Sequence, residues 1–378
     1  MNEAMQQYQE TLAWLETEPL LTNLENDDPA PMVWYRRKMP GCVNAGGSGD
    51  CMYLKKGTSD GLVIFLIGGG MAFNAEMAAG GGTMKDFFVP REKPSFFTDE
   101  CHPGNELYFF KILENRGLFS LENENPFSTW SVAMINYGTA DFHIGGGDHT
   151  YTDENGETIT LHHHGYHNFR EAMKVIQRLF PAPKKLLITG GSAGAFGASA
   201  LGAEIAESFP EETDVTICPD SACLEMEEWP SIVRDIWKAP DHIAEAAVSR
   251  NFVLDMYRMT QKRLGGRAKY MFMIGYPDSA LSMFQNYVDE GGLALTADAE
   301  RRYSKILKGQ VLEMKQLEYP VHIYLHHILQ NGSVQHCVLD SPASREGEIS
   351  PLAWLYAGVN GDLSDVGFEL LEKDCCTQ

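Results

Sequence analysis

Short apolar runs alternate with helical patterns along this chain, and that alternation restricts the possible folds more than any other feature. Six runs of five or six residues are rich in Val, Ile, Leu, Met and aromatic side chains: Leu62–Ile67, Ser131–Asn136, Lys185–Thr189, Asp214–Cys218, Tyr270–Ile274 and Val321–His326. Such runs are typical of parallel strands, because helices cover both faces of a parallel sheet. We therefore predict a single α/β domain over residues 1–378, with a mostly parallel central sheet covered by helices on both faces.

The segments around these runs have patterns of their own. "PMVWYRRKM" and "CMYLKKG" predict an antiparallel strand pair, and "GYHNFREAMKVIQRLF" predicts a helix whose apolar side chains recur every 3 or 4 residues, at Phe169, Met173, Ile176 and Phe180. The segment 139–165 is long, polar and rich in Gly and His, which is typical of a functional loop. The segment 230–267 has a mixed helical pattern and is a candidate lid or insertion.

Charge and cysteine content narrow the class of protein. The formal net charge of −22 disfavours nucleic acid and anionic membranes as partners, because both repel an acidic surface. No apolar stretch approaches the roughly 20 residues that span a bilayer, and the acidic, helical first residues do not resemble an export signal, so the sequence as written predicts a cytoplasmic protein. The 8 cysteines predict reduced, mostly buried thiols, with a disulfide between Cys42 and Cys51 as the open alternative.

One serine lies between a covered strand and a helix of small residues, in "KKLLITGGSAGAFGASALGAEIAESF". Ser192 is the centre of a Gly-x-Ser-x-Gly pattern, which in this context predicts a nucleophile elbow: only small side chains fit beside so tight a turn, and the hydroxyl is exposed at the helix N-terminus. The helix dipole there favours negative charge on a substrate. The pattern alone is weak, and a buried turn residue is the alternative. With this elbow, the expected fold is α/β-hydrolase-like.

A serine nucleophile needs a general base and a carboxylate that orients it, and in this architecture they follow in the order Ser, acid, His. Asp278 comes just after the strand in "KYMFMIGY", and His336 comes ten residues beyond the last strand. Helix capping is the alternative role for Asp278, because Asp often precedes a helix. His326 and His327 compete with His336, but they lie on the strand or at its end.

The stretch "VIFLIGGGMAFNAEM" supplies a candidate oxyanion hole. Three glycines leave a covered strand with no side chains to obstruct their amides, so we predict that the amides of Gly70, Met71 and Ala193 hold the oxyanion. A flexible turn is one alternative. A phosphate cradle is disfavoured, because no Lys-Ser/Thr follows and no G-x-G-x-x-G spacing opens a helix.

Six blocks in order resemble the pectin acetylesterase and Notum family of serine carboxylesterases, over about residues 63–338. "GGGMAFN" is similar to the family's glycine-rich oxyanion loop, "NPFSTWSVAMINYGTADFHIGG" to its Asn-Pro-Phe to Asp-Val-His block, and "GGSAGAFGA" to its serine elbow. "CPDSACL", "YPDSALSMFQN" and "QHCVLDS" resemble its Ser-Asp-Ser, acid and His-Cys segments. The blocks are specific together, whereas no single one is.

The resemblance implies the same three catalytic residues, Ser192, Asp278 and His336. It also implies that Asp141 and His143 border the pocket near the substrate. The chain departs from the family at three positions: Ala72 and Gly138 replace cysteines, and Met71 replaces a bulky aromatic residue. These differences fit a reducing compartment and count against export and a plant-type pectin substrate, although the resemblance allows secretion.

The sequence thus predicts an enzyme without a cofactor that hydrolyses an O-acyl ester, most simply an acetyl group on a carbohydrate or small molecule. The alternative is metal binding or metal-dependent hydrolysis by the cluster His162–His167, aided by His143, His149 and Asp148. Adjacent histidines cannot all face one ion, so a strand or loop would have to present alternate ones. A binding protein with a disabled site is the third possibility.

Overall fold

The computed structural model describes residues 21–81, 117–122, 124–339 and 349–372. Its strands are β1 Thr22–Asn23, β2 Trp34–Val43, β3 Gly49–Lys55, β4 Gly61–Leu66, β5 Ser131–Ile135, β6 Gly147–Thr152, β7 Thr158–His163, β8 Lys185–Gly191, β9 Asp214–Asp220, β10 Ala268–Gly275, β11 His322–His326, β12 Leu329–Gln330 and β13 Ser333–Val334. The N-terminal segment predicted to be helical lies outside the described residues.

The central sheet has nine described strands in the order β1-β2-β3-β5-β4-β8-β9-β10-β11. From β5 to β11 all neighbours are parallel, whereas β3 is antiparallel to both β2 and β5. The six parallel strands are the six apolar runs, and most of their side chains are buried. The prediction of a mostly parallel α/β fold is confirmed, as is the antiparallel pair before it.

The α-helices are α1 Gly165–Leu179, α2 Ala193–Glu207, α3 Trp229–Ser231, α4 Asp241–Ala244, α5 Phe252–Leu264, α6 Ser279–Glu290, α7 Ala297–Met314 and α8 Pro351–Val359. Helix α1 packs against β2 and β5, α2 against β4, β8 and β9, and α8 against β9 and β10. The predicted apolar face of α1 is buried at Phe169, Met173 and Ile176, and the helix ends just before Phe180. Within the described residues, no helix is both long and apolar enough to cross a membrane.

The segment 139–165, predicted as a loop, contains a β-hairpin made of β6 and β7. Leu161 and His163 on β7 are buried, whereas His162 between them is partly exposed and Thr158 and Thr160 are exposed. One face of the hairpin is therefore polar, and its two-residue period is hard to recognise in a sequence so rich in Thr and His. At the turn, the Asp153 carboxylate accepts hydrogen bonds from the amides of Asn155 and Glu157.

The segment 230–267, predicted as a lid or insertion, contains α4 and α5 and packs into the core. The side chain of Trp237 is fully buried, and its Nε1 donates to the Ala72 carbonyl at 2.8 Å. Motion of this segment as a lid stays a prediction.

The thiols of Cys42 and Cys51 are buried and free, so the disulfide alternative is not realised in this structure.

Candidate active site

Ser192 occupies a strained turn between β8 and α2, at the carboxyl edge of the parallel sheet. Its φ of 55° and ψ of −125° lie outside the regions favoured by L-residues, which costs about 1–3 kcal/mol and must be offset by packing. Gly194 shows how tight that packing is, because an added Cβ would lie 1.9 Å from the Leu66 carbonyl oxygen. Ser192 is partly exposed between the buried residues Gly191 and Ala193. This geometry is what a nucleophile elbow requires.

Asp278 and His336 are brought together from positions 58 residues apart. The imidazole Nδ1 of His336 donates to both carboxylate oxygens of Asp278, at 3.0 and 2.8 Å. Asp278 is fully buried and also caps α6, since its Oδ1 accepts a hydrogen bond from the Leu281 amide at 2.9 Å. The capping alternative and the orienting role are therefore compatible: the cap fixes the carboxylate that holds the imidazole.

Neither of the two competing histidines has a hydrogen bond to Asp278 among the described residues. Nδ1 of His327 donates to the Tyr276 carbonyl at 2.8 Å. His326 is 2% exposed, and burial lowers its pKa to about 4, so its imidazole is neutral at pH 7. Of the three, His336 is the one whose ring hydrogen-bonds the Asp278 carboxylate.

Asp220, which sequence reasoning did not select, connects the serine elbow to the segment that carries His336. Its backbone carbonyl accepts a hydrogen bond from the Ser192 amide at 3.0 Å. Its buried Oδ2 accepts from the amides of Val338 and Leu339 at 2.7 and 2.9 Å. One residue at the end of β9 thus fixes both segments. A sequence signal was present, since "CPDSACL" places a carboxylate directly after a covered strand.

The same connection is reinforced beside His336. The Ser221 hydroxyl donates to Asp220 Oδ1 at 3.1 Å and accepts from the Cys337 amide at 3.2 Å. Cys337 packs so closely on the elbow that its Sγ would lie 3.1 Å from a Cβ added to Gly191. Gly191, next to Ser192, and Cys337, next to His336, are therefore in contact.

The glycine-rich loop 68–70 packs directly on the elbow. A Cβ added to Gly68 would lie 2.2 Å from the Gly191 carbonyl oxygen and 3.0 Å from Ser192 Cβ, so this close approach requires glycine. Among the described residues, none accepts a hydrogen bond from the amides of Gly70, Met71 or Ala193. These three backbone donors are thus unengaged, as an oxyanion hole requires, and their binding of an oxyanion stays a prediction.

Asp141 and His143 lie beneath this loop, with exposures of 0% and 1%. Nε2 of His143 donates to the Ile67 carbonyl at 2.8 Å, one residue before the glycines. The Asp141 carboxylate accepts from the Thr139 hydroxyl and from the amides of His143 and Gly165, at 2.7 to 3.0 Å. Both side chains support the loop and its neighbours, and direct contact with a substrate stays a prediction.

The predicted histidine cluster is divided between two sides of the hairpin. His163 is buried; its Nδ1 donates to the Thr139 carbonyl at 2.8 Å, and its Nε2 accepts from the Tyr151 hydroxyl at 2.7 Å. Burial lowers the pKa of His163 to about 4, in keeping with a neutral ring that uses both nitrogens. His162 and His164 lie on the other side, where both hydrogen-bond Asp148.

A model of the pectinacetylesterases matches residues 29–228, a little over half of the chain. The chain belongs to the pectinacetylesterase family. Members of this family are carboxylic ester hydrolases, so the chain is an enzyme of that class. No curated protein sequence gives a significant match.

Two solved structures of the Wnt deacylase Notum from Drosophila are similar to this pectinacetylesterase. Crystal form I has a TM-score of 0.57 at 16% identity, and covers 87% of this chain and 94% of that chain. Crystal form II has a TM-score of 0.55 at 15% identity, and covers 87% and 95%. At these identities the likeness shows the fold, which is that of the α/β-hydrolases, as predicted.

Proposed function

We propose that this pectinacetylesterase is a serine carboxylesterase that removes an O-acyl group, most simply O-acetyl, from a carbohydrate or another small alcohol. The observation that carries the proposal is the hydrogen-bonded pair of Asp278 and His336, held by Asp220 against the strained turn of Ser192. A strained serine, an oriented imidazole and unengaged amides together are the parts that acyl transfer uses.

Each group has one role in the reaction. Ser192 Oγ attacks the ester carbonyl carbon while Nε2 of His336 takes the hydroxyl proton, and Asp278 stabilises the resulting imidazolium through Nδ1. The tetrahedral intermediate expels the alcohol, which takes the proton from His336. Water then attacks the acyl-enzyme with His336 again as base, which releases the carboxylic acid and restores the serine.

The amides of Gly70, Met71 and Ala193 hold the carbonyl oxygen as it becomes negative. The loss of one such donor in other serine hydrolases costs about 10²–10³ in rate. The Ser192 hydroxyl has no hydrogen-bond partner among the described residues, and we expect it to bond Nε2 of His336 when substrate binds. No step needs a cofactor, because every proton and electron pair comes from the substrate, water or these side chains.

The net negative charge of the chain favours uncharged substrates over anionic ones. The formal charge of −22 repels polyanions, which argues against nucleic acid, anionic membranes and a highly charged polysaccharide as partners. We therefore propose a neutral acylated carbohydrate or small ester. A cytoplasmic location stays a prediction from the sequence.

Ser192→Ala tests the nucleophile. We expect the hydrolysis of p-nitrophenyl acetate to fall by at least about 10⁴-fold, because the attacking oxygen is lost. Ser199→Ala is the matched control: Ser199 lies in α2, the helix that follows Ser192, is buried, and donates to the Ala195 carbonyl at 2.9 Å. Folding of both variants is checked by circular dichroism. An unchanged rate in Ser192→Ala would eliminate the mechanism.

A fluorophosphonate separates this proposal from metal-dependent hydrolysis. This reagent phosphonylates an activated serine, so the wild-type protein should be labelled once, at Ser192, with loss of turnover. A metal-dependent hydrolase would keep its turnover after treatment, and a binding protein with a disabled site would show neither labelling nor turnover.

A further inference from the structure

The β6–β7 hairpin carries a group of metal-binding side chains away from the serine elbow. Asp148, His162 and His164 each present one ligand atom, and these three atoms lie within 4.8 Å of one another. Oδ1 of Asp148 accepts hydrogen bonds from Nδ1 of His162 and Nε2 of His164, both at 2.8 Å. Two imidazoles and a carboxylate therefore converge on one point.

The hairpin explains the convergence. His162 lies on β7 and His164 is the first residue beyond it; their side chains lie together against Asp148, while His163 between them is buried on the other side. Asp148 on β6 is the cross-strand partner of His162. The end of β7 thus presents alternate histidines on one side, as a single ion requires.

Two imidazole nitrogens and a carboxylate oxygen form a ligand set that zinc uses, with water in the fourth position of a tetrahedral site. The three side chains are 33–52% exposed, so an ion and its water have access. On binding, the nitrogens that now donate to Asp148 would lose their protons, either to the other ring nitrogen or to solvent. The Asp148 charge offsets the nearby Lys238 ammonium, which donates to the Asp148 backbone carbonyl.

We propose that Asp148, His162 and His164 form a zinc-binding site. Zinc there would fix the backbone on both sides of His163, whose partner Tyr151 has its hydroxyl 3.2 Å from the Ala72 carbonyl oxygen. Ala72 follows the proposed oxyanion loop, so the metal would stabilise the hairpin that supports this loop. The serine chemistry does not require it, and the site does not depend on the proposed function.

Isothermal titration of the chelator-treated full-length protein with ZnCl₂ tests the site. We expect one zinc per chain in the wild type, and binding weakened by at least about tenfold in His162→Gln and in His164→Gln. His167→Gln is the matched control, because this exposed histidine three residues further along offers no atom to the cluster. The thermal midpoint should rise with zinc in the wild type and the control, because zinc binds the folded state.

Absence of zinc binding by the wild type would overturn the proposal, as would equal binding by His164→Gln and His167→Gln. Circular dichroism checks that the variants fold; their altered side chains are partly exposed, so no core contact is removed. The same titration of Ser192→Ala should give wild-type binding. Failure of the zinc site is thus distinguishable from failure of the serine mechanism.

Discussion

At the scale of single residues, we expect Asp220 to act as a positioning residue, because it hydrogen-bonds both the elbow and the His336 segment. Asp220→Ala removes the acceptor of the buried Val338 and Leu339 amides. Each unsatisfied donor costs about 1–3 kcal/mol, and a displaced imidazole should lower kcat/KM for p-nitrophenyl acetate by about 10²-fold.

Two variants separate this role from a general loss of stability. Asp220→Asn keeps an amide oxygen that can accept both bonds, so it should recover much of the activity. Asp214→Ala removes a carboxylate at the other end of the same strand, where it pairs with Lys269, and should leave kcat/KM unchanged. Equal activity in Asp220→Ala and the wild type would contradict a positioning role.

Asp141 should make stability depend on pH. Burial raises the pKa of its carboxyl from 3.8 to about 6, so between these values the folded state keeps a proton that the unfolded state has released. The stabilisation is therefore fully present below pH 3.8 and is lost as the pH rises through about 6. In urea unfolding, the free energy of unfolding of the wild type minus that of Asp141→Asn should decrease by about 1–3 kcal/mol between pH 4 and 7. A difference that stays constant or grows would show that Asp141 does not titrate in this way.

At the scale of elements, the site depends on how closely the glycine loop approaches the turn between β8 and α2. In Gly68→Ala the new methyl group would meet the Gly191 carbonyl oxygen, which forces the loop away from the serine. A displacement of about 1 Å at a catalytic group lowers activity by about 10²-fold, and we expect that loss in kcat.

Gly309→Ala is the control for adding a methyl group. Gly309 lies in α7 with no atom within 4 Å of an added Cβ. Alanine restricts the unfolded chain more than glycine does, so this variant should gain about 0.5–1 kcal/mol in stability with unchanged turnover. If both alanine variants retain full activity, the close loop contact is not needed for catalysis.

Elements differed in how clearly the sequence predicted them. The six parallel strands were recognised because burial on both faces leaves few polar residues in each. The β6–β7 hairpin was not, because Thr and His on its exposed face hide the alternation. Helix α2 was recognised by its small residues, which allow it to approach β4 and β8.

At the scale of the whole molecule, the net charge should affect how readily the enzyme associates with a charged substrate. The charge of −22 repels an anionic acetylated polysaccharide, and salt screens that repulsion. Between about 20 and 200 mM NaCl, kcat/KM should rise for such a polymer and stay constant for p-nitrophenyl acetate. A fall with salt for the polymer would mean that a local basic surface attracts it.

The six covered strands, the glycine-bounded serine and the candidate Asp and His that follow it could be recognised from the sequence alone, because covered strands and tight turns restrict residue type locally. Tertiary structure decided what depends on long-range contact: which of three histidines meets Asp278, that Asp220 holds two distant segments, and that adjacent histidines turn to opposite sides of a hairpin. Composition and spacing do not encode such pairings, because packing at the sheet edge selects them.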